Sequence, residues 1–128
     1  MIVLDASAAL ELLLKTPAGS NIERRVLSAD GGLHAPHLID VEVVHVLRRL
    51  SLRGASVRYC RQELDDWLEL PLRRYPHDAL LDRAWELRAN FTAYDAAYIA
   101  LAEELDAPIV THDRKYLAGS HRAKVEVI

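Results

Sequence analysis

The chain has 128 residues, of which 51% are hydrophobic, and a formal net charge of −3, so we expect one domain over residues 1–128 with a proper core. Its single cysteine excludes an internal disulfide and a cysteine-rich zinc site, and no apolar run approaches the ~18 residues of a membrane span. The N-terminus does not have the pattern of a secretory signal, which favours a cytoplasmic protein, and the slightly acidic balance is unlike that of a simple electrostatic nucleic-acid binder.

The first half of the chain alternates short apolar runs with amphipathic segments. Residues 2–4 (IVL) form an apolar run that ends at Asp5 and is typical of a buried strand. The next predicted elements are a helix over 7–14, a break over 16–19 (TPAG), a helix over 21–27 and a strand over 33–35 closed by Pro36. Residues 38–52 have helical periodicity with a core stripe at Ile39, Val43, Val46 and Leu50, and Gly54 is the predicted stop.

The second half continues the alternation of helices and strands. Its predicted elements are a helix capped by Ser56 and ending near 68, a strand over 70–75, a helix over 78–88 with Asp78 as N-cap, a helix over 94–105 opened by Thr92, and strands over 108–111 and 125–128. The helix over 94–105 is apolar nearly all round, which predicts deep packing. This order of elements predicts an α/β layer fold with a mainly parallel sheet.

Four acids lie close to apolar segments instead of on exposed faces. Asp5 follows the first strand and Asp113 follows the strand over 108–111, so both are expected at the carboxyl edge of the sheet, where α/β proteins bind ligands. Asp95 begins the apolar helix, and Glu42 flanks the core stripe of the long helix. Carboxylate oxygens are the ligands that Mg²⁺ and Mn²⁺ prefer, so the pattern indicates a divalent-metal site that could activate water for phosphodiester hydrolysis.

Each acid also has a structural interpretation that the sequence leaves open. Asp5 could N-cap the following helix, and Asp95 could act only as a first-turn acid that favours the helix dipole. Glu42 could be solvated, with Asp40 on the opposite flank of the stripe as its competitor. Asp113 could be an Asx-turn residue.

Four segments together resemble the PIN domain, a small metal-dependent ribonuclease fold, and within it the VapC-type toxins of bacterial toxin–antitoxin pairs. The segments are 1–8 (MIVLDASA), 41–43 (VEV), 93–102 (AYDAAYIALA) and 109–113 (IVTHD) followed by Tyr116 and Leu117. Their order and spacing match the family from residue 2 to about 117, and the four acids stand where the family has its metal-site acids.

The resemblance implies a three-layer α/β/α sandwich with a central, mainly parallel sheet. It also implies an endoribonuclease that depends on Mg²⁺, for which Mn²⁺ can substitute, and that acts on RNA until a cognate antitoxin inhibits it. A homodimer and a higher toxin–antitoxin assembly are the expected partners, with no membrane association.

The resemblance also assigns roles to individual residues. It places the catalytic metal site at Asp5, Glu42, Asp95 and Asp113. Asp5 and Asp95 would be the principal ligands, and the other two acids would complete the site directly or through water and orient the attacking water. The hydroxyls of Ser7 and Thr111 also match the pattern and would orient carboxylates or waters.

Two arginines on the long helix are candidates for RNA binding. Glu42, His45, Arg49 and Arg53 follow i, i+3, i+7, i+11 spacing, which places them on one side of the helix. The guanidinium groups of Arg49 and Arg53 would then lie on the flank of a proposed metal acid, where they could bind phosphates of an incoming strand.

Three other classes of protein remain as alternatives. A haloacid-dehalogenase-type phosphatase also begins with a strand that ends in Asp, but it needs a second Asp two residues later, where this chain has Ser7. A phosphate-transfer receiver domain pairs its acidic pocket with a lysine, and none of the lysines at 15, 115 and 124 follows a predicted strand suitably. A catalytically silent protein-binding module is the third alternative.

Overall fold

Five short apolar runs become the strands of one parallel sheet in the computed structural model, which describes residues 1–128. The strands are β1 (Ile2–Leu4), β2 (Leu33–Pro36), β3 (Leu72–Tyr75), β4 (Ile109–Thr111) and β5 (Val125–Val127). Their order in the sheet is β3-β2-β1-β4-β5, and every neighbouring pair is parallel. All residues of the three central strands are buried, as expected for a sheet covered on both faces.

Six helices cover the two faces of this sheet. They are α1 (Ala6–Leu13), α2 (Pro17–Leu27), α3 (Leu38–Leu52), α4 (Val57–Glu69), α5 (Leu81–Glu86) and α6 (Ala93–Leu105). Crossovers between parallel strands are right-handed, and the order of the strands reverses after β3. Helices α1 to α4 therefore lie on one face of the sheet, and α5 and α6 lie on the other. The contacts agree, since α1 contacts α2, α3 and α4, and α5 contacts α6. The predicted α/β/α sandwich is confirmed. No helix is both long and apolar enough to cross a membrane.

Helix α6 supplies the densest part of the core. All seven residues from Ala96 to Ala102 are buried, as the all-round apolar pattern predicts, and the helix packs on β1, β2 and β4. Its N-terminal end therefore lies at the carboxyl edge of the sheet, because a helix that leads into a parallel strand runs antiparallel to it. Thr92 caps this end by accepting a hydrogen bond from the backbone N–H of Asp95 at 3.2 Å.

The second helix begins four residues earlier than its periodicity predicts. The Thr16-Pro17 step, interpreted as a break, is instead the helix start: the hydroxyl of Thr16 accepts a hydrogen bond from the N–H of Gly19 at 3.3 Å, and Pro17 occupies the first turn. Proline is well suited to this position because its missing N–H would have no partner there. The boundary prediction was wrong because Thr-Pro is a signal for both the end and the beginning of a helix.

The predicted helix over 78–88 is also different in the structure. A 3₁₀ turn over Asp78–Leu80 precedes the short helix α5, and the side chain of Asp78 does not cap either element. The cap residue is His77, whose ring nitrogen Nε2 accepts a hydrogen bond from the N–H of Leu38 at 2.9 Å. His77 thereby satisfies the first turn of α3, a long-range contact that local sequence cannot indicate.

Helix α3 has its predicted bounds but a slightly rotated core face. Ile39, Val43 and Leu47 are buried, whereas Val46 and Leu50 are only partly buried. The helix ends as predicted before Gly54, whose φ of +106° is a conformation that glycine adopts without strain.

We predict that Gly19→Ala destabilises the fold although alanine is the better helix former. A Cβ at Gly19 would lie 2.3 Å from the carbonyl oxygen of Glu11 in α1, so α1 and α2 would have to separate. We expect the free energy of unfolding to fall by about 1–3 kcal/mol, as for overpacked cores. Urea denaturation followed by circular dichroism measures this, and an unchanged or higher midpoint would contradict the tight α1–α2 contact.

Candidate active site

The candidate site lies at the carboxyl edge of the sheet where β1 and β4 are adjacent. Leu4 is opposite Val110, so Asp5 and Thr111 occupy the next register position, and Asp113 follows two residues later. The connections from β1 lead towards β2 on one side, whereas β4 and β5 lie on the other, which makes this the topological switch point of the sheet.

Asp5 is buried at the centre of the site, with only 1% of its surface exposed. One carboxylate oxygen, Oδ1, accepts hydrogen bonds from the N–H of Ala8 at 3.0 Å and from the hydroxyl of Ser7 at 2.8 Å. The other, Oδ2, accepts one from the hydroxyl of Thr111 at 2.9 Å. Asp5 is therefore both the N-cap of α1 and a rigidly held carboxylate at the sheet edge.

Ser7 and Thr111 fix Asp5 to the end of β4. Their hydroxyl oxygens are 3.1 Å apart. Ser7 Oγ accepts a hydrogen bond from the N–H of His112 at 2.9 Å, and Thr111 Oγ1 accepts one from the N–H of Asp113 at 3.0 Å. The structure thus places both hydroxyls against the carboxylate that they were expected to orient.

Glu42 reaches the site from α3 and is held by α6. Its Oε1 accepts a hydrogen bond from the hydroxyl of Tyr98 at 2.7 Å. Asp40, its competitor two residues earlier, points elsewhere: its carboxylate accepts hydrogen bonds from Trp67 and Arg74, both at 2.7 Å. Glu42 is therefore the acid of α3 that belongs to the cluster, and Asp40 is a packing residue.

Lys115 is a component of the site that the sequence did not predict. Its ammonium nitrogen lies 2.9 Å from Oδ1 of Asp95 and 3.8 Å from Oδ2 of Asp113. No lysine of the sequence follows a predicted strand suitably, but Lys115 reaches the acids because the turn after β4 folds back: Oδ1 of Asp113 accepts a hydrogen bond from the backbone N–H of Lys115 at 3.0 Å. The spacing Asp-x-Lys after a strand is the only local signal of this contact.

Burial is the largest influence on the pKa values of the cluster. Burial raises the pKa of Asp5, although hydrogen bonds from Ala8, Ser7 and Thr111 oppose the shift. Burial also raises the pKa of Glu42, and the negative charges of Asp5 and Asp95 add to the rise. For Lys115, burial lowers the pKa, but the hydrogen bond and charge of Asp95 outweigh it, so its pKa is raised overall.

Tyr116 is buried next to the acid cluster, and its hydroxyl donates no hydrogen bond. The side chain is 1% exposed, and the hydroxyl has no hydrogen-bond partner of good geometry although it lies close to Asp5. Burial and the nearby charges of Asp5 and Asp95 raise the pKa of Tyr116, so the phenol stays protonated. A buried donor left free beside carboxylates is a place where a bound water or ligand oxygen would be stabilised.

The donor set suits a hard divalent cation. It offers carboxylate oxygens from four separate segments. The ammonium of Lys115 already lies within ion-pair distance of two of these carboxylates, Asp95 and Asp113. No three His, Cys, Asp or Glu side chains are arranged closely enough to hold a metal ion as the side chains stand. Asp95 is paired with Lys115 and Glu42 accepts a hydrogen bond from Tyr98, so each of these two carboxylates already has a partner.

An open cleft of about 530 Å³ lies beside the cluster and reaches Glu42, alone among the four acids, and Lys115. It is lined by Ala6, Ser7, Leu10, Val41, Glu42, His45, Val46, Arg49, Tyr94 and Lys115. Arg49 therefore faces the site, as the spacing on α3 predicts. Arg53 does not line the cleft, because it is the C-cap residue of α3 and lies one turn farther along.

We predict that Glu42→Gln stabilises the protein at neutral pH. Because the folded chain raises the pKa of Glu42, the ionised carboxylate costs stability above its unfolded pKa of ~4.3, and the cost is complete above the raised value. Glutamine keeps an acceptor for Tyr98 without the charge. We expect Tm to rise by about 2 °C at pH 7, equivalent to roughly 0.5 kcal/mol, and to be unchanged below pH ~4.

Thermal denaturation at the two pH values measures this, with Glu23→Gln, at an exposed position of α2, as the control. A lower Tm for Glu42→Gln at pH 7, or a rise of equal size in the control, would contradict the electrostatic strain.

Comparisons with known proteins identify the family of the chain. The model of the PIN domain family matches residues 2–119. Ribonuclease VapC12 of Mycobacterium tuberculosis is 42% identical over 130 aligned positions, covering 100% of this chain and 99% of the relative. Ribonuclease VapC9 of the same species is 47% identical over 116 positions, covering 88% and 86%.

Two solved structures have the same fold at low sequence identity. VapBC2 from Rickettsia felis, bound to a DNA fragment from its promoter, has a TM-score of 0.74 at 16% identity and covers 100% of this chain and 99% of that chain. VapC20 from Mycobacterium tuberculosis, a sarcin–ricin loop cleaving toxin, has a TM-score of 0.67 at 15% identity and covers 95% and 97%. With the full-length relatives, these findings show that the chain belongs to the PIN domain family, among the VapC-type ribonuclease toxins.

Proposed function

We propose that the protein is the endoribonuclease of a toxin–antitoxin pair and that it hydrolyses RNA phosphodiester bonds at the acidic cleft with Mg²⁺, for which Mn²⁺ can substitute. The observation that carries the proposal is the gathering of four carboxylates at the switch point of the sheet, next to a cleft that contains Arg49. Membership of a ribonuclease family supports the substrate class.

The four acids have different suitability as metal ligands. Asp5 is the most rigid, and Asp95 already binds a cationic group, so we assign them as the principal ligands. Glu42 and Asp113 complete the site, directly or through water. When bound, the divalent cation supplies activation of water and neutralises charge on the scissile phosphate.

The remaining side chains of the cleft bind and orient the substrate. Arg49 and His45 follow Glu42 on one side of α3, where the guanidinium group of Arg49 can bind a phosphate of the RNA through paired hydrogen bonds. In this proposal Glu42, whose Oε1 accepts a hydrogen bond from Tyr98, helps Asp113 to orient the attacking water. Ser7 and Thr111 keep Asp5 from rotating during these steps.

We propose that the 128 residues act as one nuclease domain in the cytoplasm, bound by a cognate antitoxin and as a homodimer within a larger toxin–antitoxin assembly. Exposed apolar side chains support protein partners: Leu81 and Trp85 on α5 and Val41 on α3 are all more than half exposed. The similar fold of a toxin–antitoxin complex from Klebsiella pneumoniae, with a TM-score of 0.63, agrees with this assignment.

The phosphatase alternative has less support. Ser7, which stands where a haloacid-dehalogenase-type enzyme needs its second Asp, hydrogen-bonds to Asp5 and supplies no second carboxylate. The PIN domain match over residues 2–119 supports the ribonuclease instead.

We predict that Asp95→Asn lowers cleavage of RNA by at least about 100-fold, because the amide removes a negative ligand without changing the size of the side chain. Initial rates on a fluorescent RNA, with Mg²⁺ or Mn²⁺ and after addition of EDTA, measure the effect. Asp66→Asn is the matched control, since Asp66 is an exposed acid on α4 outside the cleft. Full activity of Asp95→Asn, or cleavage that survives EDTA, would contradict the assignment.

We predict that Arg49→Glu weakens RNA binding and reduces its dependence on salt, because one phosphate contact is lost. We expect the slope of log K against log salt to change by about one phosphate contact, 0.7 for single strands. Arg48→Glu is a charge-matched control on the next residue, whose side chain lines a different surface, between α3 and α4. Equal losses in both variants would show a general charge effect and contradict a specific role for Arg49.

A further inference from the structure

Lys115 is the only cationic side chain in ion-pair contact with the four proposed metal-site acids. Its ammonium lies 2.9 Å from Asp95 and 3.8 Å from Asp113, and its side chain is 37% exposed while that of Asp95 is 18% exposed. The carboxylate is therefore less exposed to water than the side chain of Lys115, which lines the cleft. An ammonium in this position offsets the negative charge of the cluster, as a metal ion would, because it neutralises carboxylates that otherwise repel one another.

We propose that Lys115 is a placeholder for the metal ion: it pairs with Asp95 while no metal is bound, and its ammonium leaves that carboxylate when a divalent cation binds. The inference rests on the proposed metal site. Two cations cannot share the same side of one carboxylate without strong repulsion, so the metal and Lys115 compete for Asp95.

The position of Lys115 in the chain allows this exchange. Its backbone is fixed by the hydrogen bond from its N–H to Asp113, so only the flexible four-carbon side chain has to move. The same side chain lines the open cleft together with Arg49 and His45. The released ammonium therefore remains at the wall of the cleft, where a phosphate of RNA is the partner of matching charge.

The first test compares the binding of Mn²⁺ to the wild type and to Lys115→Met by isothermal titration calorimetry without RNA. Methionine keeps the apolar stem and removes the competing charge, so we expect Kd to fall about tenfold. Arg49→Met is the matched control, because it removes a positive charge from the same cleft without removing a contact to Asp95. We expect a smaller change there, since only the field at a distance is altered.

A second readout follows the lysine itself. The chain has lysines only at 15, 115 and 124, so mass spectrometry can measure acylation of each amine by a reagent. We expect Mg²⁺ to accelerate the labelling of Lys115, because its ammonium leaves the ion pair, while Lys15 and Lys124 are unaffected. Circular dichroism establishes that Lys115→Met is folded.

The outcomes separate this proposal from the metal site. A fall in Kd no larger than that of Arg49→Met, or labelling of Lys115 that Mg²⁺ leaves unchanged while the metal binds, would overturn the placeholder role alone. Failure of both the wild type and Lys115→Met to bind Mn²⁺ would overturn the metal site and the placeholder role together.

Discussion

Burial of carboxylates at one edge of the sheet is the constraint on which the rest of the structure depends. Asp5 and Glu42 are partly or fully withdrawn from water, and the pKa of each is raised because burial disfavours the charged form. Such a cluster destabilises a fold unless a cation offsets it. This chain nevertheless contains the carboxylate cluster. In a member of a ribonuclease family, a destabilising cluster of this kind is expected where activity requires it at a cost in stability.

Hydrogen bonds hold the acids in place, and the flexible side chain of Lys115 offsets part of their charge. Ser7, Thr111 and the N–H of Ala8 hold Asp5 in place, and Tyr98 holds Glu42 from the opposite face of the sheet. Lys115, in contrast, is attached through a flexible side chain and can respond to a change in the charge around it. The net charge of −3 describes the whole chain and gives no information about this arrangement. RNA binding depends instead on the local charges of the acids, Lys115 and Arg49.

Local sequence predicted the parts of the structure that depend on periodicity. Apolar runs of three or four residues became strands, the all-apolar pattern of α6 became the deepest helix, and the acids that end two strands met because parallel strands share one edge. Local sequence did not predict the contacts that depend on turns or on packing between elements. The ion pair of Lys115 with Asp95 depends on the Asx turn at Asp113. The hydrogen bond from Tyr98 to Glu42 depends on the orientation of α6 relative to α3. Arg53 was expected in the cleft from helical spacing alone, which does not say how far the cleft extends.

The central claim is that these four acids form one cation site, and its location can be measured directly. In ¹⁵N-labelled protein, substoichiometric Mn²⁺ broadens the NMR signals of amides near the bound ion. We expect broadening to begin at residues 5, 42, 95 and 113 and to spread outward from them. Broadening centred on other acids, such as Glu103 or the pair Asp65 and Asp66, or uniform across the chain, would contradict it.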